Sequence, residues 1–154
     1  MKSKRRYMMN VLIINGPNLN MLGYRNPEIY GNLSYQNLEE YIHGYATDRQ
    51  VDVEFYQSNH EGDIIDRIQK ACIDSCDGII INAGAYAHYS YAIRDALEMC
   101  EFPKVEVHIS NVMEREKFRH KLVLSEVCNH TIFGEGIKGY LLAIDFLLDN
   151  HHNI

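Results

Sequence analysis

The sequence is poor in positive charge. Fifteen basic residues stand against 21 acidic ones, a net charge of −6. Lys2, Lys4, Arg5 and Arg6 crowd into the start, so the rest of the chain is more acidic still. A duplex-binding domain is usually basic over a whole face, which makes nucleic acid a poor candidate partner. No apolar run nears the roughly 20 residues that a membrane-crossing helix needs. A phosphate-cradling loop ending in lysine is missing, and so is a GxGxxG turn, so a nucleotide cofactor lacks its usual motifs. The four cysteines, Cys72, Cys76, Cys100 and Cys128, form no CxxC pair and lack the histidine spacing of a zinc site. They read as buried free thiols. His43, His60, His120, His130, His151 and His152 show no ligand spacing, and nothing argues for a metal. Internal repeats, low-complexity segments and interdomain linkers are absent too.

What is present suffices for one domain. An apolar share of 46% in 154 residues supports a single core and excludes wholesale disorder. Residues 2–14, basic and then apolar, imitate a signal peptide. However, Asn10 interrupts the apolar part, and Gly16-Pro17-Asn18 stands where a small-residue cleavage site belongs. The start therefore reads as a basic tail over residues 1–8 followed by a first strand, in a soluble, cytoplasmic protein whose single domain covers 9–154.

Apolar periodicity alternates between strand-like and helix-like stretches, the mark of βα units. The near-continuous apolar run at 9–14 suits a buried parallel strand. Over 34–48, Leu38, Tyr41, Ile42, Tyr45 and Ala46 share a helical face behind Ser34, an N-cap candidate. Val51, Val53 and Phe55 alternate as a strand, and residues 61–74 carry Ile64, Ile65, Ile68, Ala71 and Cys72 at helical spacing. There follow a strand at 78–82, a helix through Ala92, Ile93, Ala96, Leu97 and Cys100 stopped by Pro103, and a strand at 104–109. A short strand at 131–133 precedes a last helix striped by Ile137, Tyr140, Leu141, Ile144, Leu147 and Leu148. The expected fold class is α/β, a flavodoxin-like doubly wound five-stranded parallel sheet of order 2-1-3-4-5. Residues 15–33 form the one long irregular stretch, which exceeds ordinary connections and invites a functional reading.

Ligands of such sheets bind beyond the carboxyl ends of the strands, where strand order reverses. That point lies between the first and third strands. The segments that follow them, Asn15-Gly16-Pro17-Asn18-Leu19-Asn20 and Asn82-Ala83-Gly84-Ala85-Tyr86-Ala87-His88, are rich in amides and glycine. In the fourth strand Val105, Val107 and Ile109 alternate with Glu106, His108 and Ser110, which places the polar three on one face. Two readings fit: an edge strand with a wet side, or a glutamate that orients a histidine and sustains its proton for acid catalysis. The irregular stretch holds Arg25, Pro27 and Tyr30 between Gly23 and Gly31, as a hinged lid would. A guanidinium near a tyrosine favours its phenolate, so such a tyrosine can act as a base. Arg115 and Arg119, four apart, fall on one side of a helical turn; their spacing alone favours a solvated face paired with Glu116 and its neighbours.

Taken together, Gly16-Pro17-Asn18-Leu19-Asn20, the run from Arg25 to Gly31, Gln57-Ser58-Asn59-His60-Glu61-Gly62, residues 81–90, residues 105–111 and residues 115–119 resemble type II 3-dehydroquinate dehydratase. The resemblance extends from about Asn10 to the last helix. It implies a flavodoxin-like catalytic subunit, a dodecamer built from trimers, and a place in the shikimate route to aromatic amino acids. It also implies neither metal nor organic cofactor, the one small-molecule partner being 3-dehydroquinate. Carried over by position, Tyr30 is the base that removes the proton next to the substrate ketone, with Arg25 favouring its phenolate. Asn18 holds a water against the enolate oxygen, and His108, oriented by Glu106, protonates the departing hydroxyl. Ser110 and the backbone around Ile109 take the carboxylate, with Asn82 nearby. His88 and Arg119 bind ring hydroxyls, Arg115 is the lid-side arginine, and Asp95 reaches the site from a neighbouring subunit.

Asn26 departs from the acidic residue usual in the family, and Ala87 from a frequent threonine. The competing reading is a non-catalytic flavodoxin-like module that binds a small anion or a nucleotide in the same crevice. A receiver-type signalling domain would need an aspartate at the end of the third strand, where Ile81-Asn82 stands.

Overall fold

The computed structural model describes residues 8–30 and 32–151, with residues 29 and 30 as backbone alone. Five parallel strands form one sheet in the order β2-β1-β3-β4-β5: β1 (Met9–Asn15), β2 (Val51–Gln57), β3 (Gly78–Asn82), β4 (Lys104–His108) and β5 (His130–Phe133). The helices are the short α1 (Pro27–Tyr30), then α2 (Tyr35–Asp48), α3 (Glu61–Ile73), α4 (Tyr91–Glu98) and α5 (Lys138–His151). Element order and sheet order match the expected doubly wound arrangement.

Two local signals set the helix starts. The Ser34 hydroxyl accepts from the Asn37 N–H (3.1 Å) and the Ser90 hydroxyl from the Ile93 N–H (3.1 Å), each satisfying an amide that the first turn leaves without a partner. Strand alternation sends side chains to two cores. Val11, Ile13, Ile80, Val105 and Val107 pack with Leu38 and Ile42 of α2 and Tyr140, Ile144 and Leu147 of α5. Leu12, Ile14, Ile79 and Ile81 pack with Ile64 and Ile68 of α3 and Ile93 and Leu97 of α4. Burial on both faces explains why β1 and β3 read as continuous apolar runs.

Three expectations about the fold are corrected. Cys72 and Cys100 are not free thiols: α3 and α4 lie side by side in one core, which brings the two Cα atoms to 5.2 Å and joins the sulfurs in a disulfide. Cys76 and Cys128 are free and half-buried. The fourth strand is not an edge with a wet side, because β5 covers it and every residue of β4 is buried. Residues 15–33 are not wholly irregular, since they include a 3-10 turn at Leu19–Met21 as well as α1. Residues 1–7 of the basic tail lie outside the described residues. No helix among the described residues is long and apolar enough to cross a membrane.

Candidate active site

Strand order reverses between β1 and β3, and a cleft of about 110 Å³ opens beyond their carboxyl ends. Its wall comes from three segments: Pro17, Asn18 and Leu19 after β1, Gly84, Ala85 and His88 after β3, and Ile109, Ser110, Val112, Arg115 and Arg119 beyond β4. Arg25, Asn82 and His108 complete it. Among the described residues, three arginines and no carboxylate line this cleft, in a chain whose net charge is −6. Such a lining suits an anionic ligand.

The loops after β1 and β3 meet at van der Waals distance. A Cβ on Gly16 would stand 2.5 Å from the carbonyl oxygen of Ala83, so only glycine lets the two approach. Asn18 adopts a left-handed backbone (φ 70°), a conformation asparagine tolerates, and its N–H donates to Asn59 Oδ1 at 3.0 Å. Gln57 Nε2 donates to the Gly16 carbonyl at 3.2 Å, so the end of β2 also holds this loop. Behind the cleft lies a buried polar knot. Tyr140 donates to Asn15 Oδ1 (2.5 Å), Asn82 Nδ2 donates to the Tyr140 hydroxyl (3.0 Å), and Asn82 Oδ1 accepts from the Gly84 N–H (3.3 Å). The Asn82 amide is thereby fixed in orientation, and burial raises the Tyr140 hydroxyl far above its ordinary value, so it stays protonated. The sequence reading placed Tyr140 in the apolar stripe and missed this second role.

His108 and Glu106 stand on one face of β4, as period two requires, and are 4% and 0% exposed. His108 Nε2 lies 2.5 Å from Glu106 Oε2, which leaves the other ring nitrogen for the cleft. Glu106 Oε1 accepts from Ser125 Oγ at 2.8 Å. Near Glu106, burial first and the carboxylate charge second push the Cys128 thiol up to about 12, so it remains neutral. His88 contacts the Lys121 carbonyl through Nδ1 (2.9 Å), and its ring is stacked on His108 with centroids 6.0 Å apart. Desolvation lowers its proton affinity below the ordinary 6.5, which favours the neutral ring with Nδ1–H donating to Lys121 and Nε2 as an acceptor.

Arg115 and Arg119 both line the cleft, which corrects the solvated-face reading. They do not share a helical turn. Arg115 is extended (φ −104°, ψ −165°) between 3-10 turns at Val112–Glu114 and Lys117–His120, and its Nη1 donates to Ser110 Oγ at 3.2 Å. Arg119 lines the cleft and pairs with Glu116 as well. Asp95 is not brought to the cleft: it lies on α4 with its side chain 72% exposed, in an ion-pair cluster around Arg94. The Tyr30 side chain lies outside the described residues. Asn26 caps the start of α1, its Oδ1 accepting from the Glu28 N–H at 3.0 Å, a role asparagine fills as well as an acid does. Pro17, Leu19, Gly84 and Ala85, within the two segments expected at the crevice, also line the cleft, as does Val112, which carried no signal in the sequence. No group of three or more His, Cys, Asp or Glu among the described residues is placed to hold a metal ion.

Known proteins share this architecture and its sequence. The family model for dehydroquinase class II matches residues 9–148. A 3-dehydroquinate dehydratase of Lachnoclostridium phytofermentans is 55% identical over 140 residues, which is 91% of this chain and 97% of that one. One from Thermotoga petrophila is 53% identical over 139 residues, covering 90% and 94%. The crystal structure of a type II dehydroquinase from Butyrivibrio crossotus superposes with a TM-score of 0.90 at 57% identity, covering 92% of this chain and 98% of its own. With a family model spanning both cores and the cleft, and relatives more than half identical along nearly their whole length, the chain belongs to the class II dehydroquinases.

Proposed function

We propose that the chain is a hydro-lyase that removes water from 3-dehydroquinate to give 3-dehydroshikimate, in the shikimate route. The observation that carries this reading is a buried Glu106–His108 pair opening onto a cleft lined by three arginines: an acid and an anion-binding wall in one place. In the proposed mechanism Tyr30, helped by Arg25, takes the proton from the carbon next to the ketone. The electron pair moves into an enolate whose oxygen faces a water held by Asn18, where a fixed donor contributes several kcal/mol. The enolate then collapses, the carbon–oxygen bond on the far side breaks, and His108 gives the leaving hydroxyl its proton, releasing water in an anti elimination. Ser110 and the backbone at Ile109 take the substrate carboxylate, with Asn82 beside them. His88 and Arg119 hold the ring hydroxyls, and Arg115 braces the lid side. No metal or organic cofactor enters this scheme.

The exposed Asp95 fits a contribution to a neighbouring subunit's cleft, in a dodecamer built from trimers. A dilute monomer should then bind the substrate poorly, and equal binding by monomer and oligomer would remove that role. The location proposed is the cytoplasm. Dehydration creates a conjugated enone, so ultraviolet absorbance after addition of 3-dehydroquinate tests the reaction directly. A rise with the wild type and none with Tyr30→Phe is expected. A rise with both keeps the reaction and overturns Tyr30 as base, whereas no rise with folded wild type points to a binding module.

A further inference from the structure

Glu106 is enclosed on every side, and two hydroxyls outside the cleft account for the oxygen that His108 does not use. Ser125 opens a 3-10 turn, Ser125–Val127, that crosses the polar face of β4, and its hydroxyl donates to Glu106 Oε1 at 2.8 Å. Thr131 sits in β5 in ladder register with Glu106, on the same face, and its hydroxyl donates to Ser125 Oγ at 3.0 Å. A hydroxyl carries a single proton. Because Thr131 supplies the hydrogen bond that Ser125 accepts, the Ser125 proton is committed to Glu106.

We propose that Ser125 and Thr131 are positioning residues for the acid step: a two-hydroxyl brace that fixes the Glu106 carboxylate and, through it, the ring of His108. This rests on the reading of His108 as the acid. The brace acts from behind, since neither hydroxyl lines the cleft. A carboxylate with one oxygen unbraced turns about its terminal torsion, whose preferences are broad. The histidine that it holds at 2.5 Å then moves with it. Small misplacements of an acid reduce turnover much more than binding. The brace therefore belongs to kcat, and to the later of the two proton transfers.

The test uses the full-length protein and 3-dehydroquinate, with Ser125→Ala, Ser125→Thr, Thr131→Val and His108→Ala compared to the parent. Ser125→Ala should lower kcat by about 10- to 100-fold, as expected for losing a hydrogen bond to a charged group, with KM within about twofold. Ser125→Thr keeps the hydroxyl and should restore kcat to within about threefold of the parent. Thr131→Val should lower it by a smaller factor, about three- to tenfold, since Ser125 keeps its proton but loses its direction. In deuterated water, Ser125→Ala should exchange the proton next to the ketone faster than it dehydrates, because the enolate waits for its acid. A merely structural role moves neither the exchange ratio nor the rescue by threonine. If Ser125→Ala fails to fold, Thr131→Val, a swap of hydroxyl for methyl, decides by the same rate and exchange measurements. Parent-like kcat in Thr131→Val and Ser125→Ala, with His108→Ala inactive, overturns the brace while leaving the acid in place. An active His108→Ala removes the acid itself, and the brace with it.

Discussion

The two faces of β4 are equally buried and built in opposite ways. Val105 and Val107 pack against α5 in a core with no polar partner to find, whereas Lys104, Glu106 and His108 are buried on the other side with a specified partner each. Lys104 Nζ donates to the carbonyls of Leu97 (2.8 Å) and Cys100 (2.7 Å), placing its ammonium against the carbonyl end of α4. Glu106 is held by His108 and Ser125. The contrast shows that burial alone does not mark a residue as core. One strand supports the sheet on one face, and on the other it holds the Glu106–His108 pair in a dry, fixed position at the cleft.

Substitutions on the two faces should separate these roles. The largest effect is expected from Glu106→Ala, which leaves His108 without its orienting carboxylate. Its kcat should fall by at least about a hundredfold, read from enone absorbance, with far-ultraviolet circular dichroism unchanged. Next comes the disulfide, which closes 28 residues on the side of the polar face and has no counterpart opposite. Reduction should cost about 3 kcal/mol in urea unfolding while leaving turnover intact. Lys104→Met and Val107→Ala form the direct contrast. Each should lower stability by about 2 kcal/mol, the first by removing the donor from the Cys100 carbonyl and a second donor from that of Leu97, and the second by opening a cavity, with kcat changed by neither. The smallest effect is a pH dependence from His88. Burial lowers its folded-state proton affinity below the ordinary 6.5, so protonation favours the unfolded chain. The stability linked to this group is fully present above pH 6.5 and declines as the pH falls through the lower, folded-state value. His88→Gln should flatten that part of a melting-temperature profile between pH 7 and 5.

Much of this was legible in the sequence where periodicity carries information. Alternation in 105–110 placed Glu106 and His108 together on one face, and the switch from period two to helical spacing gave the βα alternation from which a doubly wound order was expected. The edge-strand reading of β4 failed because β5 pairs along it and every residue of β4 is buried, as the expected order 2-1-3-4-5 already requires. Arg115 and Arg119 were misplaced because a four-residue spacing speaks of one face only inside a continuous helix, and here two separate turns bring both to the cleft. The Cys72–Cys100 pairing depends on which helices become neighbours, which no local pattern reports. Ser125 and Thr131 left no signal at all: a hydroxyl has no periodicity, and their meeting depends on the register of β5 against β4.

The most direct measurement is His108→Ala supplied with 3-dehydroquinate in deuterated water, following dehydration by absorbance and proton exchange next to the ketone by nuclear magnetic resonance. The expected result is a loss of dehydration by about a thousandfold, the scale of a missing general acid, with exchange continuing because the base step is untouched. Dehydration at the parent rate in this variant would contradict the assignment of His108 as the acid and, with it, the role given to the polar face of β4.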